Sequence, residues 1–173
     1  MKPQIVILMI AMFIAPWIAE TSFAQVQQAD IGVDGLACPF CSYGLEKKLK
    51  EAKGADEVTI NISKGLAVLK SNGKESLEVE QFEPIIKDAG FTLRSLTVTA
   101  VGTISQSNDS PMLFVNGTDT KFILKNNTAY ENLRTKLSGT DKLIRITGTL
   151  SQEMPQGHHA HPFTLTIEES KIQ

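Results

Sequence analysis

The stretch that decides the fold is GLACPFC, residues 35–41, which holds both cysteines of the chain. A short apolar strand candidate at residues 30–33 precedes it, and an amphipathic helix candidate follows from Pro39. Two thiols at this spacing can converge on one soft metal ion, or they can oxidise to a disulfide with each other. The main question is therefore whether Cys38 and Cys41 bind a metal or exchange electrons.

The residues on both sides of this loop predict a βαββαβ order over residues 29–98. The helix after the loop is followed by alternating apolar and polar residues over 58–69, which predict a hairpin. A second helix is predicted over 79–89, and Pro84 within it predicts a late start or a bend. A long strand begins at Phe91. This order packs as a four-stranded antiparallel sheet with both helices on one face, which is the ferredoxin-like arrangement of an α+β fold.

The position of the cysteines favours metal binding. We expect Cys41 in the first turn of its helix, where unpaired N–H groups and the helix dipole lower the pKa of a thiol. Two thiolates suit Cu(I) or Hg(II) far better than Mg(II) or Ca(II), and Zn(II) prefers four ligands. The loop supplies two, at Cys38 and Cys41.

The competing interpretation is thiol-disulfide exchange, because Cys-Pro-Phe-Cys is close in type to glutaredoxin and thioredoxin loops. Those families also need a cis-proline loop facing the cysteines and a βαβ start with a parallel strand pair. The remaining proline of this module, Pro84, lies inside a helix pattern. A third alternative is an inert pair of cysteines.

Five matched segments resemble the heavy-metal-associated domain, and the resemblance covers about residues 29–98. They are the cysteine loop 35–41, the Lys/Glu-rich helix after it, and the segments 58–61, 64–68 and 86–91. The family includes copper chaperones, the metal-binding repeats of copper-transporting ATPases and the periplasmic mercury-binding protein. The resemblance implies a carrier that delivers a soft metal ion by ligand exchange.

Two positions depart from the family pattern. Leu36 stands where the family usually has Met, commonly a buried anchor beneath the loop, and Leu should keep that packing. Phe91 stands where bacterial members often have Tyr. Phe can still cover the site, but it cannot hydrogen-bond to a sulfur.

The second module, residues 99–173, is predicted to be a small OB-like β-barrel. Residues 96, 98, 100, 102 and 104 keep one parity, which predicts that the last strand of the first module runs straight into the second. Further strands are predicted at 112–115, 122–124, 143–150 and 163–167, with a helix between the third and fourth barrel strands. We expect a scaffold or docking role for this barrel.

All three histidines fall together at His158, His159 and His161, with Met154 nearby. Imidazoles at this density can bind Cu(II) or Zn(II), and a thioether can help to retain Cu(I). The cluster therefore predicts a second, weaker metal site. A solvated loop with incidental histidines is the alternative.

Residues 1–24 read as a secretory signal peptide, with Lys2 before an apolar run and Ser-Phe-Ala at 22–24 as the cleavage signal. Pro16 interrupts the run, which makes a retained membrane anchor the weaker alternative. We expect a mature chain that starts at Gln25, is periplasmic or secreted, and has no stable membrane anchor.

The charge and the motifs restrict the partners. The formal net charge is −2, which, with export, argues against nucleic acid. The expected partners are the metal ion and a metal-transporting or metal-accepting protein. An enzyme is not expected, because no general base, nucleophile dyad or phosphate loop accompanies the cysteines.

Overall fold

The computed structural model describes residues 26–107, 110–137, 142–151 and 163–173 of the 173-residue chain. The predicted signal peptide lies outside the described residues. Within the described ranges, no helix is both long enough and apolar enough to cross a membrane.

The first part of the chain has the predicted βαββαβ order. Its elements are β1 (Val26–Asp34), α1 (Pro39–Lys50), β2 (Glu57–Asn61), β3 (Leu66–Lys70), α2 (Phe82–Asp88) and β4 (Thr92–Ser107). The four strands pair antiparallel in the order β2-β3-β1-β4. This confirms the predicted ferredoxin-like arrangement and excludes a parallel strand pair at β1.

One strand is longer than predicted, and the late start that Pro84 predicted for the second helix is confirmed. β1 begins at Val26, four residues before the predicted start, because Val26 and Ala29 are both fully buried. The second helix starts late, since Val79–Gln81 forms a 3-10 turn before α2. Pro84 is then the third residue of α2. The first backbone N–H groups of a helix have no partner within it, so proline removes no helix hydrogen bond at this position.

Both helices pack on one face of this sheet. Leu45 and Leu49 of α1 and Phe82 and Ile86 of α2 are fully buried in the same core as the inward residues of β1. Burial of these apolar side chains is the main stabilising contribution to the module.

Strand β4 belongs to both halves of the molecule. β1 pairs with its residues 92–100, and β7 pairs with its residues 97–102 on the opposite edge. β5 pairs with residues 102–107 on the same edge as β1, so β1 and β5 lie end to end along β4. The continuous strand predicted from residue parity is thus present, and the predicted boundary between residues 98 and 99 falls inside it.

The second half is a closed five-stranded β-barrel. Its further elements are β5 (Ser110–Val115), β6 (Lys121–Leu124), α3 (Thr128–Lys136), β7 (Ile144–Ser151) and β8 (Phe163–Ile172). The strands follow the order β4-β5-β6-β8-β7, and the β4–β7 pairing closes the barrel. β6 and β8 pair in parallel, whereas the other barrel pairs are antiparallel.

Gly102 marks the point where β4 enters the barrel. It is paired with Val115 of β5 on one edge and with Ile144 of β7 on the other. A Cβ at this position would lie 2.2 Å from the carbonyl oxygen of Phe114. The strand therefore needs glycine here so that its neighbour can approach.

Candidate metal-binding loop

The cysteine loop connects the end of β1 to the start of α1. Gly35 turns the chain with a positive φ of 88°, a conformation that glycine adopts without steric cost. The N–H of Ala37 donates to the carbonyl of Gly35 at 2.9 Å. Leu36 is buried, which confirms the anchoring role expected for a Leu at this position.

Cys38 is the N-cap residue of α1. Its backbone is extended, with φ −133° and ψ 141°, and its Sγ accepts a hydrogen bond from the N–H of Cys41 at 3.2 Å. Pro39 opens the helix, and the N–H of Ser42 donates to the carbonyl of Cys38 at 3.1 Å. The first turn therefore presents one backbone donor, the N–H of Cys41, to the sulfur of Cys38.

The two sulfurs are joined as a disulfide in this structure, with a distance of 5.3 Å between the two Cα atoms. Cys38 is partly exposed, and Cys41 is exposed. Two-electron reduction of the pair yields two adjacent thiols at the N-terminal end of a helix. Both cysteine residues therefore present surface to solvent.

The surroundings of the loop are apolar beneath and aromatic above. Phe91 is half-buried, and a Cβ built on Gly35 would lie 3.6 Å from its ring. On the outer side, Phe40 and Tyr43 are 92% and 71% exposed. The packing of Phe91 against the loop matches the covering role expected for it.

A salt bridge holds the strand end from which the loop departs. The guanidinium of Arg94 contacts the carboxylate of Asp34 at 3.0 Å and donates to the carbonyls of Lys64 and Gly65 at 3.1 and 3.2 Å. Arg94 therefore ties β4 to the end of β1 and to the β2–β3 turn. Sequence reasoning missed this residue because Arg94 and Asp34 are 60 positions apart.

The predicted ligands of this site are Cys38 and Cys41. Across the described ranges, no group of three or more His, Cys, Asp and Glu side chains is placed to hold a metal ion. His158, His159, His161 and Met154 lie outside the described residues.

The strands that flank the histidine cluster end near the cysteine loop. β7 runs antiparallel to β4 with Thr149 opposite Thr97, so Ser151 lies further toward the first residue of β4, Thr92. Thr92 pairs with Asp34, the last residue of β1. The end of β7 and the start of β8, which pair with each other, therefore lie at the same end of the sheet as the cysteine loop.

Comparisons with known proteins give likeness at the level of structure. No protein-family model matches the chain, and no curated protein matches it. A copper binding domain from HMA7, a P-type ATPase, is 24% identical with a TM-score of 0.36, covering 39% of this chain and 90% of that domain.

Two further solved structures match the same share of this chain, 39%. The CopZ metallochaperone is 22% identical with a TM-score of 0.36, and 98% of it is covered. The N-terminal domain of PacS from Synechocystis PCC6803 is 18% identical with a TM-score of 0.34, and 94% of it is covered. The three likenesses concern 39% of the chain, and the heavy-metal-associated family stays a resemblance carried by the cysteine loop and the first module.

Proposed function

We propose that this protein binds one soft metal ion through Cys38 and Cys41 and passes it to an accepting protein. One observation carries the proposal: the two sulfurs are adjacent at the exposed N-terminal end of α1, with the N–H of Cys41 directed at the sulfur of Cys38. Both Cu(I) and Hg(II) accept two thiolates in low coordination. Cu(I) is the favoured ion and Hg(II) the next. The chain is a carrier and not an enzyme.

The exposure of the site suits transfer. A dithiol reductant transfers two electrons and two protons to the disulfide, is itself oxidised to a disulfide, and so frees both thiols. Each thiol loses its proton when it binds the metal. The helix N-terminus favours the thiolate form of both cysteines. A two-coordinate ion on an open loop leaves room for a thiolate of the acceptor to bind and displace one cysteine at a time.

Replacing either cysteine tests the site. Cys38→Ser and Cys41→Ser should each reduce competition against a Cu(I) chelator by orders of magnitude, because one thiolate cannot close a two-coordinate site. Thr59→Ser, on the exposed edge strand β2, is the matched control and should compete like the wild type. Unchanged competition in both cysteine variants would overturn the proposal. Parallel titrations with Hg(II) decide the order of the two ions.

The carrier is proposed to act in the periplasm or outside the cell after cleavage before Gln25. The sequence of residues 1–24 supports this. Mass spectrometry of the protein isolated from its natural source should give a chain that starts at Gln25. A mature chain that retains residues 1–24 would contradict export by cleavage.

Thiol-disulfide exchange is the second candidate function. The joined sulfurs favour it, whereas the antiparallel pairing of β1 with both neighbours departs from the parallel pair of thioredoxin-like proteins. A carrier should show negligible turnover of a model disulfide. Sustained turnover that depends on both cysteines would place exchange ahead of metal transfer.

The histidine cluster is proposed as a weaker second site for Cu(II) or Zn(II), formed by His158, His159 and His161 with help from Met154. Its binding should weaken as pH falls through about 6.5, the ordinary imidazole pKa. The Cys38→Ser, Cys41→Ser double variant should still release heat on titration with Cu(II) or Zn(II). Equal heat from a further variant without the three histidines would mean that the cluster is a solvated loop.

The barrel is proposed to be OB-like, with a scaffold or docking role. Three features support this: the strand order first-second-third-fifth-fourth, the parallel pairing of the third and fifth strands, and α3 between the third and fourth. Nucleic acid is disfavoured as its ligand, because the barrel strands lack interleaved Arg or Lys and aromatic residues. A crystal structure with another strand order, or tight binding of single-stranded DNA, would contradict this assignment.

A further inference from the structure

The chain contains two Asn-Gly pairs, Asn72-Gly73 and Asn116-Gly117. Both asparagines are exposed, and both glycines have a positive φ, of 86° and 70° respectively. Because glycine has no side chain, its backbone nitrogen is easily approached by the side chain of the preceding asparagine. The two pairs are therefore alike in sequence, and they differ in the hydrogen bonds that the fold gives them.

Asparagine is among the thermolabile residues of proteins, and before glycine it reacts with its own backbone. The backbone nitrogen of the glycine loses its proton to hydroxide and attacks Cγ of the asparagine. A C–N bond forms, and the side-chain amide leaves as ammonia. Water then opens the cyclic imide at either carbonyl, which gives aspartate or isoaspartate. The net change replaces a neutral amide by a carboxylate, and water is the only co-reactant.

Hydrogen bonds hold both reacting groups of the first pair. The N–H of Gly73 donates to Oγ of Ser71 at 3.2 Å, and the Ser71 hydroxyl donates to the carbonyl of Glu75. Oδ1 of Asn72 accepts from the N–H of Lys74 at 2.8 Å. An amide proton in a hydrogen bond reaches hydroxide only after local opening. Deprotonation at Gly73 therefore requires that its bond to Ser71 first be broken.

The reacting groups of the second pair are free. Among the described residues, neither the N–H of Gly117 nor the side chain of Asn116 has a hydrogen-bond partner. The N–H and the hydroxyl of Thr118 close the turn, donating to the carbonyl of Val115 at 3.4 and 3.3 Å. These bonds are longer than the usual N–H···O distance of about 2.9–3.0 Å. Hydroxide can therefore reach the N–H of Gly117 without local unfolding.

We propose that Asn116 is a site of spontaneous deamidation in the folded protein, whereas the fold protects Asn72. This inference does not depend on the proposed metal transfer. Gly117 lies in the wall of a cleft of about 540 Å³ between the first module and the barrel. The charged residues of this wall are Glu75, Glu78, Glu80 and Asp119, with Lys53 and Lys74. Deamidation therefore adds a negative charge beside a cleft in which carboxylates already outnumber ammonium groups.

The isoaspartate product also changes the turn between β5 and β6, because its main chain runs through Cβ and is longer. The N–H of Val115 donates to the carbonyl of Thr120 across this turn at 3.1 Å. Val115 also pairs with Gly102, where β4 enters the barrel. Isoaspartate at position 116 should break the bond to Thr120. Hydrogen exchange of the Val115 amide should then be about tenfold faster, the order of the factor expected for one lost hydrogen bond.

Peptide mapping by mass spectrometry follows both pairs in one sample of the whole, metal-free protein kept at mildly alkaline pH. In the folded protein, Asn116 should be converted about tenfold faster than Asn72, since opening a hydrogen-bonded amide costs a factor of that order. In concentrated urea, the two pairs should react at similar rates. Equal rates in the folded protein, or faster conversion of Asn72, would overturn the proposal.

Two variants test the physical reason for the difference. Ser71→Ala frees the N–H of Gly73 and should raise the conversion rate of Asn72 severalfold, while Asn116 in the same molecule serves as the unchanged control. Asn116→Gln should abolish the rapid conversion assigned to this turn. Circular dichroism checks that both variants are folded. Unchanged conversion of Asn72 in folded Ser71→Ala, or rapid conversion at position 116 in Asn116→Gln, would contradict the proposal.

Discussion

The cysteine loop and strand β4 differ in how much of the molecule depends on them. The loop is exposed at both Cys41 and Phe40, and Leu36 anchors it in the core. β4 pairs with β1, β5 and β7, and its inward residues lie in the core. The proposed chemistry therefore lies on exposed side chains, whereas buried contacts are concentrated in the strand that both halves share.

The largest expected effects come from matched core changes in the two halves. Phe82 of α2 and Phe122 of β6 are both fully buried. Phe82→Ala and Phe122→Ala should each lower the free energy of unfolding by roughly 3–5 kcal/mol. Because β4 is common to both halves, each change should shift one cooperative transition, measured by denaturant unfolding with circular dichroism and amide signals. Two separate transitions would show that the halves are independent.

Glycine-to-alanine changes should have opposite signs in the two regions. Gly102→Ala places a Cβ 2.2 Å from the carbonyl oxygen of Phe114 and must displace β5, which should cost roughly 1–3 kcal/mol. Gly44→Ala fills open space on an exposed helix and should stabilise by about 0.5–1 kcal/mol. Urea unfolding measures both. If both changes raise, or both lower, the free energy of unfolding, the two regions do not differ in their tolerance of a Cβ.

Arg94 links the two regions, so its replacement tests how firmly the loop is held. Arg94→Gln removes the Asp34 ion pair and weakens the bonds to the carbonyls of Lys64 and Gly65. Because these groups are about half exposed, the expected cost is about 1 kcal/mol. Hydrogen exchange at residues 34–38 should accelerate, with Arg94→Lys intermediate. Unchanged exchange in Arg94→Gln would mean that the loop is held without it.

The smallest expected effect is that of Cys38→Ser on stability under reducing conditions. Serine keeps an acceptor for the N–H of Cys41 at the N-cap, so the change should be below about 0.5 kcal/mol. Cys38→Ala removes the acceptor and should cost about 1 kcal/mol. Thermal unfolding of the reduced proteins compares them. If Cys38→Ser loses as much stability as Cys38→Ala, the cap hydrogen bond contributes nothing, and the sulfur stabilises the reduced protein by packing.

Much of the first module could be predicted because its signals are local. Pro39 at the start of α1 and the alternation that becomes β2 and β3 each report on neighbouring residues. The first module is therefore close to its prediction, apart from the early start of β1. The charged outward face of α1 was readable from its Lys and Glu residues, but the exposure of Phe40 and Tyr43 was not predicted.

By itself, the sequence determined the βαββαβ order, the cysteine pair at the start of a helix and the parity that carries β4 from one half into the other. Only the tertiary structure decided that β1 and β5 share one edge of β4 while β7 takes the other, closing the barrel. It also decided that Arg94 holds the strand end before the cysteines. The physical reason is that side-chain periodicity reports which face of a strand is buried, whereas the partners of its backbone edges are chosen by contacts between residues far apart in the chain.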